Sequence, residues 1–268
     1  MPETLDFEEP LVPLLKSLDE LLALPRTDSA QREIDALQKR LETARTTLYG
    51  SLTPWQRVQV ARHPSRPGFE AWVGSLFEEF VEIHGDRRFA DDHAIMTGHA
   101  LYRGQPVLVV GHVKGVDTKE KIFRNFGYAR PEGYRKALRA MRLAEKFSRP
   151  IIVFIDTPAA YPGIESEERG VAEAIAVNLR DMMVLDTPII VIVSGEGGSG
   201  GALGIAVGDA VLMQEYAIYS VIPPEGCAAI LWRDAAKKVE ASAALKLTAP
   251  DLLKAGIIDR IEIGRAHV

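Results

Sequence analysis

The chain has 268 residues, with 32 basic and 37 acidic side chains for a net charge of −5, and 47% of it is apolar and 26% charged. That is ordinary globular usage; it excludes a disordered or collagen-like chain, and the acidic balance argues against a nucleic-acid binder. Apolar runs stop at five or six residues, as in Ile189 to Val193, where a membrane helix needs about 20.

The opening residues Met1, Pro2 and Glu3 lack the basic and apolar segments of a secretory signal. Residues 1 to 75 read as helical. Leu11, Leu14, Leu15, Leu18, Leu21 and Leu22 recur at helical spacing, and Ser29 to Leu48 places Ile34, Leu37, Leu41 and Leu48 on one face. Pro64, Pro67 and Gly68 punctuate the end of this region. Two such helices bury little alone, so the region is expected to pack on the rest of the chain or on another subunit.

From residue 76 to 261 the character changes. Val107 to Val113, Ile151 to Ile155 and Ile189 to Val193 are short β-branched runs, as in strands buried on both faces. Helical patterns lie between them at Pro131 to Phe147 and Glu167 to Met183, and two shorter strands are predicted at Ala210 to Met213 and Tyr219 to Ile222. The alternation predicts an α/β fold with parallel strands. The single cysteine, Cys227, excludes internal disulfides and a cysteine zinc cluster; it reads as a small buried filler in a reducing, cytoplasmic setting.

Charge is uneven. Lys114 to Arg149 holds 11 basic and 4 acidic residues, in a protein that is acidic overall. This segment is either a solvated face or a site for an anion.

The glycines are uneven too: seven of the 22 lie between Gly195 and Gly208. They follow the strand Ile189 to Val193 and precede a small-residue helix, Ala202 to Val207. Such a strand–glycine turn–helix device offers bare backbone amides at a helix start. Gly195, Gly197 and Gly200 match the dinucleotide pattern G-x-G-x-x-G, but the helix that follows is too short for that fold. Gly197 to Gly201 matches the G-x-S-x-G elbow around Ser199, yet only His267 follows it among the six histidines. Ser199 is therefore expected to cap the helix. What survives is an oxyanion hole of backbone amides, which needs neither nucleophile nor triad. A Cβ at Gly201 is expected to fill the approach to those amides. A second donor segment is expected after the strand Ile151 to Ile155, in Asp156 to Gly163, around Ala159 and Ala160.

These segments, with Lys114 to Lys121, Asn125 to Tyr128, Pro131 to Leu138, Pro224 to Trp232 and His84-Gly-Asp-Arg87, occur in an order that resembles one family. It is the carboxyltransferase alpha subunit of the multi-subunit acetyl-CoA carboxylase of bacteria and plastids. The resemblance spans nearly the whole chain. It implies a crotonase/ClpP-like superhelix of strand-strand-helix units with an N-terminal helical extension. It implies transfer of carboxyl from N-carboxybiotin, carried on a biotin carboxyl carrier protein, to acetyl-CoA, giving malonyl-CoA for fatty acid synthesis. Biotin carboxylase supplies the charged carrier. A beta subunit completes an α2β2 assembly, carries the zinc and stabilises the acetyl-CoA enolate, so no metal is expected in this chain.

Carried onto this sequence, the resemblance assigns the biotin oxyanion hole to the amides of Gly200, Gly201 and Ala202. Ala159, Ala160, Gly163, Gly197 and Gly198 line the substrate site, and Lys114, Lys119, Lys121, Arg124 and Arg135 are candidates for holding coenzyme or carboxylate anions. Another crotonase-fold acyl-CoA enzyme, a hydratase or decarboxylase, would need a placed acid, for which Glu165 and Glu225 are the nearest candidates. The family continues for several dozen residues past Asp259-Arg260-Ile261. Residues 262 to 268 instead look like a reading frame of a sequencing adapter, and are expected to be foreign.

Overall fold

The computed structural model describes residues 4–262; of the suspected foreign tail, only Glu262 lies within them. A 3-10 stretch, Asp6–Leu11, leads into α1 (Val12–Leu22) and α2 (Asp28–Gly50). Thr27 caps α2 by accepting from the Ala30 amide, and Ile34, Leu37 and Leu41 are buried on the expected face. Leu11 is buried, whereas α1 buries none of its own residues in this chain. Glu8 fixes the entry: its carboxylate accepts from the Tyr49 hydroxyl at 2.6 Å and from the Leu5 amide at 2.8 Å.

Thr53 and Gln56 form a capping box that, with Pro54 at the first position, starts α3 (Pro54–Ala61). α3 buries Val58 and Ala61 against Ile218 and Leu247. α4 (Phe69–Leu76) buries Phe69 and Val73 in a cluster with Met96, Val109 and Phe154 of the sheet.

The sheet follows. β1 (Glu78–Glu82), β2 (Ile95–Tyr102) and β3 (Gln105–His112) pair antiparallel. The turn between β2 and β3 is the two-residue Arg103-Gly104, with φ of +51° and +76°, the left-handed pair that matches strand twist. After β3 come α5 (Thr118–Phe123) and α6 (Pro131–Lys146), then β4 (Ile151–Thr157), α7 (Ile164–Glu168) and α8 (Val171–Met182). The last stretch is β5 (Ile189–Gly198), α9 (Ser199–Leu203), β6 (Ala210–Gln214), β7 (Ile218–Ser220), α10 (Pro224–Leu231), α11 (Lys238–Ala244), α12 (Ala249–Lys254) and β8 (Arg260–Glu262). The sheet order is β1-β2-β3-β4-β5-β6-β8, and from β3 onward the pairings are parallel. β7 branches off: β5 pairs with β6 through Ile190–Val193 and with β7 through Glu196–Gly198.

Three expectations change. β1 and β2 carry charged residues, a glycine and a histidine, and no apolar run marked them. The helix expected at Glu167 to Met183 is broken at Gly170, which sits at φ +77° and separates α7 from α8. The strand expected at Tyr219 to Ile222 lies at Ile218–Ser220, because Pro223 and Pro224 open α10 immediately after it. Cys227 is buried as a filler, packed with Ala228 and Ala241.

α6 holds the sheet's main core. Tyr134, Ala137, Leu138 and Met141 are buried with Leu108, Val153 and Val191. Its start is set by Asp92, whose carboxylate accepts from the Arg130 amide at 2.8 Å. On the other face, α4 depends on a missing side chain. A Cβ at Gly111 would lie 2.1 Å from the Phe69 ring, which is wedged edge-on between Phe80 and Phe154. Gly111→Ala should therefore cost about 1–3 kcal/mol of stability by overpacking, read as a lowered urea midpoint; an unchanged midpoint would mean that α4 yields freely.

Candidate active site

The expected glycine turn is strand instead: β5 continues through Gly198, and α9 begins at once with Ser199. Gly198, in an extended conformation, occupies the cap position. Ser199 therefore lies inside the helix at φ +56° and makes no capping bond, contrary to expectation.

The reason for glycine here is close backbone approach. A Cβ at Gly198 would lie 1.8 Å from the Pro158 carbonyl oxygen, and one at Gly201 would lie 2.2 Å from the Ala160 nitrogen. The first turn of α9 thus rests on the bare backbone of Pro158 to Ala160, and the two expected donor segments meet. Gly197 pairs with Thr157 of β4 and Tyr219 of β7. Gly163 caps α7, its carbonyl accepting from the Ser166 amide at 3.0 Å. Gly200 differs: a Cβ there meets only Ile175, at 3.8 Å. The open side of this turn is at Gly200, while Gly201 is closed by the loop, so the expected plugging of the approach belongs to Gly200. The amides of Ser199, Gly200 and Gly201 start the helix and have no intrahelical acceptor. Ala202 is fully buried behind them.

A buried polar frame holds α9 from below. The Tyr134 hydroxyl donates to the Gly201 carbonyl at 3.1 Å. Asn178 donates to the carbonyls of Tyr134 and Gly204, each at 2.9 Å. His112, at the end of β3, lies by the Gly201 and Phe154 carbonyls, which favour its charged form. Its complete burial wins and pushes the imidazole down to about 3.

Beside this frame is a cluster of charges. The Lys114 ammonium lies 3.0 Å from both Asp156 and Glu196. Arg66 pairs with Asp156 and donates to the Ser194 carbonyl at 2.8 Å. Arg62 bridges Glu196 and Glu225 at 2.8 Å each. Burial alone would raise Asp156, but Arg66, Lys114 and the Glu196 amide hold it well below the usual carboxylate range. Glu196 is likewise lowered, against its burial, by Lys114 and Arg62.

The basic candidates therefore separate. Lys114 and Lys121 line one cavity of about 160 Å³ with Arg62, Arg66, Phe69 and Asp156. Lys119 is exposed on α5, and neither it nor Lys121 makes an ion pair among the described residues. Arg124 pairs with Glu70 at 2.7 Å. Arg135 pairs with Asp86 at 2.8 Å and Glu132 at 2.9 Å, and borders a different cleft. Glu225 is engaged by Arg62, and Glu165 is exposed on α7. Sequence reasoning missed Arg62, Arg66, Asp156, Glu196, His112, Tyr134 and Asn178. Their partners lie far away in the chain, and no local pattern marks them. Among the described residues no group of acidic, histidine or cysteine side chains could hold a metal ion, and no helix is long and apolar enough to cross a membrane.

The fold matches that of carboxyltransferases. It superimposes on the transcarboxylase 12S core with a TM-score of 0.62 at 20% identity, covering 71% of this chain and 37% of that one. A single-chain, multi-domain long-chain acyl-CoA carboxylase gives a TM-score of 0.59 at 17% identity, over 77% of this chain and 22% of that one. The architecture is thus the crotonase-like one that such enzymes share. Sequence is more specific. The acetyl co-enzyme A carboxylase carboxyltransferase-like family matches residues 4–267. The acetyl-coenzyme A carboxylase carboxyl transferase subunit alpha of Geobacter metallireducens is 55% identical over 267 residues, 98% of this chain and 84% of its own length. That of Geobacter sulfurreducens is 59% identical over 232 residues, 85% of this chain and 73% of its own. The chain belongs to this family of biotin-dependent carboxyltransferase subunits.

Two outcomes follow from the geometry. Gly201→Val should lower stability by roughly 2–3 kcal/mol, because its Cβ meets backbone and not a yielding side chain; a melting temperature equal to wild type would refute the close contact. His112 carries stability that is fully present above pH 6.5 and is lost as pH falls toward 3, since the folded chain binds its proton less well than the unfolded one. Between pH 6.5 and 4.5 it should drain about 2 kcal/mol. Urea titrations of His112→Gln should show that part of the slope removed, and equal slopes would assign it elsewhere.

Proposed function

We propose that this chain supplies the carboxybiotin half of an acetyl-CoA carboxylase carboxyltransferase, transferring carboxyl from N-carboxybiotin on a carrier protein to acetyl-CoA to give malonyl-CoA. The single observation that carries the site assignment is the open, acceptor-free face at Gly200, set directly on the Ala159–Ala160 backbone. A surface of amide donors suits an oxygen that gains negative charge in the transition state. Bound carboxybiotin supplies the carboxyl group and such an oxygen. The amides of Gly200 and Gly201, with Ala202 behind them, orient that oxygen. Ala159, Ala160 and Gly163 shape the wall beside it, and Gly197 and Gly198 bring β5 to the same point. Each amide donor of this kind contributes about 3–4 kcal/mol to turnover in other enzymes.

Lys114 is neutralised by two carboxylates, so it shapes the cavity more than it adds charge. Lys121, which lines this cavity, and Lys119, exposed on α5, face anionic parts of the incoming substrates. Arg124 and Arg135 act as internal struts. The beta subunit holds the acetyl-CoA enolate and the zinc, and a biotin carboxyl carrier protein and biotin carboxylase complete the cytoplasmic, ATP-dependent pathway into fatty acid synthesis. Within residues 1–75, α1 and α2 serve subunit packing, while α3 and α4 join residues 76–261 in the carboxyltransferase domain.

The test is reconstitution with a matching beta chain, assaying malonyl-CoA-dependent carboxylation of biocytin. Gly200→Val should lower turnover at least about tenfold while the melting temperature and co-purification with the beta chain stay as in wild type. Unchanged turnover would take Gly200 out of the site, and full activity of the lone chain would overturn the division of labour.

A further inference from the structure

The cleft between α6 and α8 is a second positively charged site. It encloses about 360 Å³, and five arginines line it: Arg87, Arg88, Arg135, Arg139 and Arg142. Two carboxylates line it with them, Asp86 and Glu173. Asp86 is buried and already engaged. One of its oxygens accepts the amides of Arg88, Phe89 and Ala90, and the other accepts Arg135 at 2.8 Å. Arg142 is paired with Asp181. Glu173 is an exposed residue of α8.

Three guanidiniums remain without a carboxylate. Arg139 is fixed by carbonyls only, donating to His84 at 2.9 Å and Gly85 at 2.8 Å. Those bonds aim the group, and the Asp86 and Asp91 charges nearby offset it only in part. Burial and the neighbouring Arg87 charge push Arg139 below the ordinary arginine range. Arg87 and Arg88 make no ion pair among the described residues, and Arg87 sits at φ +64°, a left-handed conformation that arginine rarely adopts. Like charges crowded at one cleft, on a strained loop, favour an anion of more than one charge. Arginine forks match the oxygens of phosphate in pairs, and a single carboxylate would leave part of the cluster uncompensated.

We propose that this cleft binds the phosphate or diphosphate group of a small molecule, at a site distinct from the α9 amides. Arg139 and Arg87 grip the group, and Arg88 closes over it from the loop. Asn178 lines the same cleft and donates to the Gly204 carbonyl just past α9, so one side chain touches both places. The site stands independently of the amide assignment.

Calorimetric titration of pyrophosphate at low ionic strength, into the chain assembled with its beta subunit, tests it. Wild type should bind at one site. Arg139→Gln and Arg87→Gln should each weaken binding at least about tenfold, and Arg233→Gln, outside the cleft, should leave it unchanged. Arg87→Gln removes no internal side-chain bond, so its loss of binding cannot be read as misfolding. Competition by CoA but not by dephospho-CoA assigns the cleft to the 3′-phosphate of a CoA ligand. Competition by both assigns it to the CoA diphosphate, and competition by neither to a separate phosphate compound. No pyrophosphate binding, equal binding by all variants, or binding that vanishes when the beta subunit is added would overturn the proposal.

Discussion

The site rests on one contact: the backbone of Gly198 to Gly201 lying against the backbone of Pro158 to Ala160. Parallel pairing brings β4 and β5 to the same level, with Thr157 opposite Gly197. Both chains must then turn within the space of one residue layer. Any side chain at Gly198 or Gly201 would occupy the volume of the neighbouring backbone. With none, the loop seats on the helix start and leaves that helix's opposite side open at Gly200. The unpaired amides are thus a consequence of close packing, not of a flexible loop. Their precision comes from the rigid elements that meet there, supported from beneath by Tyr134 and Asn178.

Beside this contact the chain buries a balanced set of charges. Asp156 and Glu196, both nearly inaccessible, are each met by two cations. Desolvation of such groups is costly, and the close pairing offsets it. The arrangement has a topological effect: Arg62 and Arg66 follow α3 in the chain, so the helical N-terminal part is clamped to the C-terminal ends of the central strands. α3 and α4 add apolar contacts with the sheet on top of this. The part of the chain that stands apart from the sheet is therefore α1 and α2, a shorter piece than the helical composition up to residue 75 suggests.

What the sequence made legible follows from how local each signal is. β3, β4, β5 and α6 are read from continuous apolar runs or clean helical periodicity, and they form where expected except that β5 runs on to Gly198. β2 is largely buried like β3, but Thr97, Gly98 and His99 interrupt its apolar run, so nothing local marks it. Motif order carried the family, and with it the crotonase-like fold. The basic residues could not be sorted from sequence, because several of the acids that engage them sit 40 or more positions away, as Asp86 does for Arg135, which also pairs with the nearby Glu132, and Asp156 for Arg66. The glycine cluster was legible as a place of close approach, while its form, strand and not turn, depended on the partner strand β7, itself only three residues long.

Once those pairings are known, the two donor surfaces differ in kind. At Gly200 the donors are neutral peptide groups held by a rigid frame, beside charges that already cancel one another. Such a surface adds little to the binding of an oxygen that is neutral in the ground state and much once charge has moved onto it, because its dipoles are fixed before the reaction begins. At Arg87 and Arg139 the donors are full charges that make no ion pair among the described residues, Asp86 and Asp91 offsetting Arg139 only in part. They favour a ligand that is an anion before, during and after any reaction, and they would hold it equally throughout. The fold keeps the two apart, with Tyr134 facing α9 from the buried side of α6 and Arg139 on a face of the same helix that borders the cleft. One helix thereby lies behind both donor surfaces, its buried side against α9 and another face along the cleft.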